Sequence, residues 1–329
     1  MAKKRVLGCS FPVFIIVAII LFGLLLISAL GGPIGSKLLG LAGIHFQLPS
    51  WLAVEKPAPE LAAETLIHIG SFAVTNTMIT AWISILILVI FAALVTRKLK
   101  LVPSRLQSIL EYAVTTLLNL CENIAGPKYG RQVFPIVATI FLFVFVNAWT
   151  SLIPGYGSIM VTIHGTAVPL LRGANTDINL PLALAIVAFI TVEFFGFKAM
   201  GLRYLGKFIQ LGKIGQSFKK LFKGNFKGAM GDLAFGIIDF FVGILELISE
   251  FIRLVSFTFR LFGNMTAGEI LLLSISFLVP WVLSIAIYGL EMLVGFVQAL
   301  AFSMLTLIFT SIAVAGHETE EESAQEEKT

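Results

Sequence analysis

The amino-acid sequence predicts an all-α polytopic membrane protein of about six membrane helices, on three observations. Hydrophobic residues make up 57% of the 329-residue chain and charged residues only 13%, where soluble domains carry roughly 25% charged residues. Apolar runs of about 20 residues recur, long enough to cross a hydrocarbon core of ~30 Å as helices. Of the 23 lysines and arginines, all but Arg253 and Arg260 lie between these runs. Such a composition excludes a water-soluble globular fold and intrinsic disorder alike.

Residues 1–35 read as an N-terminal signal-anchor extension. Lys3-Lys4-Arg5 precede an apolar run from Phe11 to Leu30, and Gly31-Gly32-Pro33 end it. The run is longer than the usual signal-peptide apolar region, which favours retention. A loose small-residue site at Ser28-Ala29-Leu30-Gly31 leaves a cleaved signal as the alternative. Residues 36–73, with Pro49, Pro57 and Pro59, read as an external loop. Membrane helices are expected within 74–199, at about 74–96, 133–153 and 179–199. Between the first two, 104–124 reads as an interfacial amphipathic helix, because Leu106, Ile109, Leu110, Ala113, Leu117, Cys121 and Ile124 share one face.

Residues 200–232 read as a basic cytoplasmic loop, since Lys198 to Lys227 contains no acid and suits an anionic headgroup layer. The stretch 233–315 reads as a pair of helices of roughly 70 and 50 Å, too long to stand upright in a ~30 Å core. The first is either one strongly tilted helix or two spans joined by a hidden turn near Gly263 to Gly268. An acidic tail, 316–329, closes the chain. With the N-terminus inside, 18 of the 23 bases fall in cytoplasmic segments and only Lys37, Lys56 and Arg172 outside. Two crossings in the last third put the C-terminus in the cytoplasm as well.

Cys9 and Cys121 are too few and too far apart for a disulfide framework, and His45, His68, His164 and His317 never approach metal-ligand spacing. No phosphate-binding glycine loop appears, and no cofactor, metal or nucleic acid is implied. The informative charges are Asp239, Glu246, Glu250, Arg253, Arg260, Glu269 and Glu291, all in apolar surroundings. Each costs at least ~2.5–3.5 kcal/mol at a bilayer centre, so together they imply water, pairing or a protein partner, and by default an ion pathway. Asp239, Glu246, Arg253 and Arg260 recur every seven residues and form one stripe, turning only ~20° per step. Glu250 can pair with Arg253 one turn on, which gives Asp239, Glu250 and Arg253 a structural or secondary part. Arg260 has only Ser256, Phe257, Gly263 and Asn264 at helical contact spacing. It cannot discharge by losing a proton, so its counter-ion must come from another helix or another subunit.

The segment Ser256-Phe-Thr-Phe-Arg260-Leu-Phe-Gly-Asn264-Met-Thr-Ala-Gly-Glu269 resembles the signature helix of the subunit a family of rotary F-type ATP synthases. Thr75-Asn-Thr77, Pro103-Ser-Arg-Leu-Gln107, Asp177-Ile-Asn179 and Val297-Gln-Ala299 support the resemblance, which covers about residues 60–315. It implies a subunit that is not catalytic by itself, set in the inner (plasma) membrane of a bacterium. Its implied partners are a c-ring, peripheral-stalk b subunits, the lipid bilayer, and protons or Na+. By the same resemblance Arg260 is the arginine facing the ring carboxylates between two offset half-channels. Glu269 is then the acid of the outer half-channel, Asn264 and Gln298 are polar groups around the arginine, and Glu246 is an acid of the inner pathway. Glu291 stands where some members carry histidine. Setting Gln298 level with Arg260 on antiparallel helices puts Glu291 about 10.5 Å and Glu269 about 13.5 Å outward, with Glu246 about 21 Å the other way. A self-contained secondary transporter is the alternative, but it predicts inverted repeats, and 74–199 and 233–315 share no pattern of charges or breaks.

Overall fold

The computed structural model describes residues 5–6, 9–41, 56, 62–97, 105–163, 165–208, 226–280 and 282–326. The basic start at Lys3 and Lys4, most of the loop expected at 36–73, His45 and His164, and the middle of the basic loop at 209–225 lie outside the described residues. Among the described residues seven α-helices form: α1 Phe11–Gly31, α2 Pro33–Leu41, α3 Asn76–Thr96, α4 Arg105–Ser151, α5 Asn179–Met200, α6 Phe226–Leu278 and α7 Val282–Glu326. Four segments, Asn76–Thr96, Gln107–Ser151, Asn179–Met200 and Val282–Ala315, are long and apolar enough to cross a membrane. The protein is thus an all-α polytopic membrane protein.

Local chemistry places the helix ends. Thr75 is extended and its hydroxyl accepts from the Met78 N–H, an N-cap that starts α3. Gly126 breaks α4 with φ +74°, followed by Pro127. The chain folds back there, because a Cβ on Gly130 would collide with the Cys121 carbonyl, nine residues earlier. The amphipathic segment 105–125 is therefore a separate limb lying against the start of the membrane helix that follows.

Helix α6 runs unbroken for 53 residues through Gly263 and Gly268, about 80 Å, so a single continuous helix is the form adopted and no turn separates two spans there. It begins at Phe226, earlier than the 233 expected from hydropathy. Helix α7 continues past Ala315 to Glu326, although the tail is acidic. Hydropathy marks where lipid ends, whereas Glu, Ala and Gln are good helix formers in water, so the helix outlasts the apolar stretch. Three short antiparallel hairpins were not foreseen: β1 Arg5–Val6 with β2 Cys9–Ser10, β3 Thr65–Ile69 with β4 Phe72–Thr75, and β5 Met160–Ile163 with β6 Thr166–Pro169. Gly70 and Gly165, at φ +64° and +85°, make the last two turns.

The core forms where α4, α5, α6 and α7 converge. Ile140 and Val144, Ala185 and Ala188, Phe257 and Leu261, and Ala299 and Phe302 pack together there. The alanines let the backbones approach closely, as small residues do between membrane helices. Exposed Ile, Leu, Val and Phe side chains cover α1 and α3, a surface that suits lipid.

Candidate functional site

Packing of α6 decides where Arg260 points. Phe257 and Leu261 are buried against α7, with the Phe257 ring 5.1 Å from Phe302 and 5.8 Å from Phe309. Arg260 and Phe259 therefore lie on the exposed side of the same turns. Arg260 donates to Ser256 Oγ at 3.4 Å, and among the described residues no carboxylate pairs with it. One turn further, Asn264 Nδ2 donates to Gln298 Oε1 at 2.8 Å. Gln298 is thus level with Asn264 and not with Arg260, about one turn from the register set by matching polar residues. The aromatic contacts of Phe257 decide that register, because they bury more surface than a polar pair gains.

Toward the C-terminal end of α6, Gly268 precedes Glu269. The Glu291 carboxylate occupies the space a Cβ on Gly268 would take, so the glycine brings the two acids together. Both line a cavity of about 410 Å³, with Glu64, Arg172, Asn175 and Tyr288 among its walls. Arg172 is buried and donates to Glu269 Oε2 at 3.3 Å and to the Ala62 carbonyl at 2.9 Å. Its loop is pinned by Asp177, which accepts from Thr77 Oγ1 at 2.9 Å and from the Asn179 backbone at 3.1 Å. Reading the sequence placed Arg172 in an external loop and gave it no partner. Its contact with Glu269 crosses 97 residues, which no local spacing reveals.

Toward the N-terminal end of α6 lies a second acidic group. Lys207 Nζ, on the 3-10 helix Gly201–Lys207, is 2.7 Å from Glu246 Oε1 and 2.9 Å from Glu250 Oε1. Arg253 Nη1 is 2.6 Å from Glu250 Oε2, and its guanidinium stacks 3.9 Å from the Phe309 ring centre. Burial pushes the Lys207 pKa down, but the hydrogen bonds that its ammonium donates to Glu246 and Glu250 outweigh burial and hold the group above its ordinary pKa. Asp239, half-buried, sits seven residues before Glu246 on the same helix. The charge run read as a solvated loop thus supplies a half-buried ion-pair partner.

Two further members were passed over. Glu193 lies within the apolar helix α5, and Tyr204 is buried beside it. An acid inside a 22-residue apolar helix was a readable signal, since it meets the criterion applied to the last third of the chain.

Residues 78–311 match the family model described as ATP synthase A chain. ATP synthase subunit a of Gloeobacter violaceus is 32% identical over 243 residues, which is 74% of this chain and 85% of that one. ATP synthase subunit a of Trichlorobacter lovleyi is 30% identical over 74% of this chain and 89% of its own. The Moorella thermoacetica subunit is 28% identical over 77% and 96%. Arg260, Asn264, Glu269, Glu291 and Gln298 all fall inside the matched stretch, and the chain belongs to the ATP synthase A chain family.

Proposed function

We propose that this chain, a non-catalytic proton-translocating subunit of the ATP synthase membrane sector, offers a c-ring two offset proton half-channels separated by Arg260. The supporting observation is the placement of charge along α6. Arg260 is exposed without a carboxylate partner, while the acids gather in two separate groups, Glu269 with Glu291 and Glu246 with Glu250. At 1.5 Å per residue these begin about 13.5 Å beyond the arginine on one side, at Glu269, and about 15 Å on the other, at Glu250, with Glu246 at about 21 Å. Among the described residues no file of carboxylates runs past the cation. A proton therefore needs a carrier on another chain to pass from one group to the other.

A proton enters the cavity from outside, is relayed by Glu291 and Glu269 to a ring carboxylate, and travels with the ring before release beside Glu246. Arg260 stabilises the unprotonated ring carboxylate between the two channels and repels a cation attempting a short circuit. One charge falling through 100 mV supplies ~2.3 kcal/mol, so rotation must pool several per ATP. Peripheral-stalk b subunits hold the chain against the turning ring. The distribution of bases supports a bacterial plasma-membrane orientation with both termini cytoplasmic. The permanent charge of Arg260 and the carboxylates suit protons, and Na+ would be distinguished by its effect on flux.

The test is reconstitution with the c-ring and the catalytic head. Arg260→Ala should abolish coupled ATP synthesis and open a passive leak. Synthesis that survives the substitution sinks the proposal.

A further inference from the structure

The acidic group near the N-terminal end of α6 is not uniform. Both oxygens of Glu250 are committed, Oε1 to Lys207 and Oε2 to Arg253. Glu246 commits Oε1 to the same lysine. Carboxylates held this way have their oxygens occupied by charge-assisted hydrogen bonds. Glu193 stands outside these pairs. Its Oε1 is buried with no hydrogen-bond partner, and it shares the electrostatic neighbourhood of Tyr204, Glu250, Lys207 and Arg253.

Tyr204 is only 2% exposed, and its Oη is likewise buried without a partner. The ring is seated by α5 itself, since it fills the place a Cβ on Gly196 would occupy, one turn after Glu193. It also packs edge-on to Phe197 at 4.9 Å and Phe208 at 5.9 Å. Rotating a hydroxyl suits either state of its neighbour: it donates to a carboxylate or accepts from a carboxylic acid. The groups facing Glu193 are Tyr204 and Lys207 from the 3-10 helix and Glu250 and Arg253 from α6, with Glu246 paired to the same lysine. From α7 come the apolar Phe309 and Ala313. Three carboxylates thus converge on two cations, and one proton balances the set.

We propose that Glu193 is the proton-carrying carboxylate of the cytoplasm-facing half-channel, positioned by Tyr204, while Glu246 and Glu250 stay engaged in ion pairs with Lys207 and Arg253. This rests on the half-channel reading above and deepens it. The O–H bond of a ring carboxylic acid breaks and its proton forms an O–H bond on Glu193. Glu193 then gives the proton to cytoplasmic water and returns to the carboxylate.

The experiment uses the complete complex in vesicles, with the pH of the cytoplasmic face varied at a fixed driving force. Glu193→Gln keeps the shape and loses the titration. It should slow ATP synthesis by at least about tenfold and flatten the dependence on cytoplasmic pH, and Glu193→Asp should restore most of both. Arg260→Ala runs in parallel: coupled synthesis there breaks the half-channel reading itself. Loss in Arg260→Ala with an unchanged rate and pH profile in Glu193→Gln overturns the Glu193 assignment alone. Equal loss in the Gln and Asp variants with an unshifted pH profile marks a packing role and overturns it too. Where Glu193→Gln fails to assemble, Tyr204→Phe takes its place: a displaced pH midpoint supports the proposal and an unmoved one refutes it.

Discussion

The two acidic groups on α6 solve the problem of charge in lipid in opposite ways. Glu269 and Glu291 face a cavity of about 410 Å³, and Arg172 is the cation paired with Glu269 there. Glu246 and Glu250 are closed in by Lys207 and Arg253, with three contacts of 2.9 Å or less. The first group keeps its carboxylates in reach of water, and the second neutralises them with cations. A carboxylate beside open polar space exchanges protons readily, whereas a doubly paired one holds its charge. The comparison teaches that one helix carries two acidic groups under different controls, space on one side and ion pairing on the other.

The sharpest way to break the contrast is to remove the space. Gly268→Val puts a branched side chain where the Glu291 carboxylate rests, so Glu291 must leave the cavity wall. Because a proton crosses both half-channels in series, flux from either face should fall by about 100-fold, on the scale that a misplaced transfer group costs. Flux measured after an acid pulse checks this. An unchanged rate breaks the link between the cavity and proton transfer.

Arg172→Gln comes next. It removes the cation from Glu269 and the tie to the Ala62 carbonyl, without taking volume from the cavity. Stranding a partly buried carboxylate costs about 1–3 kcal/mol, so synthesis should fall roughly 5- to 100-fold. Arg172→Lys keeps the cation and should restore most of the rate. Equal loss in the Gln and Lys variants assigns Arg172 to loop structure instead.

How much of this was legible differs between the groups for a physical reason. The helices, the stripe Asp239, Glu246, Arg253 and Arg260, and the proximity of Glu250 to Arg253 all follow from helical periodicity, a local property. The length of α6 was readable, and its continuity through Gly263 and Gly268 was not, since glycine permits either a helix or a turn in lipid. The pairings of Arg172, read only as an external loop base, and of Lys207, read as part of a solvated loop, were missed because their partners are 97 and 43 residues away. A basic residue beside a span looks the same whether it meets headgroups or folds back onto an acid. Glu193 is a different kind of miss, since the same rule that flagged Glu246 applied to it. The register of α7 on α6 depended on the Phe257, Phe302 and Phe309 contacts, which polarity matching ignores.

The smallest effect is expected at Lys207, and it tests whether pairing really governs the second group. The lysine is about a third exposed, at 33%, so solvent screens its pairs with Glu246 and Glu250 and their worth is at the scale of surface pairs, roughly 0.2–1 kcal/mol each. Lys207→Met should therefore slow synthesis only about two- to tenfold, with a loss that narrows as salt rises and screens the wild-type pairs. The sign of its pH dependence is fixed. The folded-state pKa is raised, so the stabilising pairs are complete below the ordinary lysine value near about 10.4 and fade only as pH climbs through the higher folded value. Between pH ~6 and ~9 the lysine stays charged, and any pH response of the second group across that window must come from a carboxyl. If Lys207→Met abolishes that response, the titrating group depends on the lysine's charge. If the response persists at a shifted midpoint, Lys207 only tunes a carboxyl that lies outside its pairs.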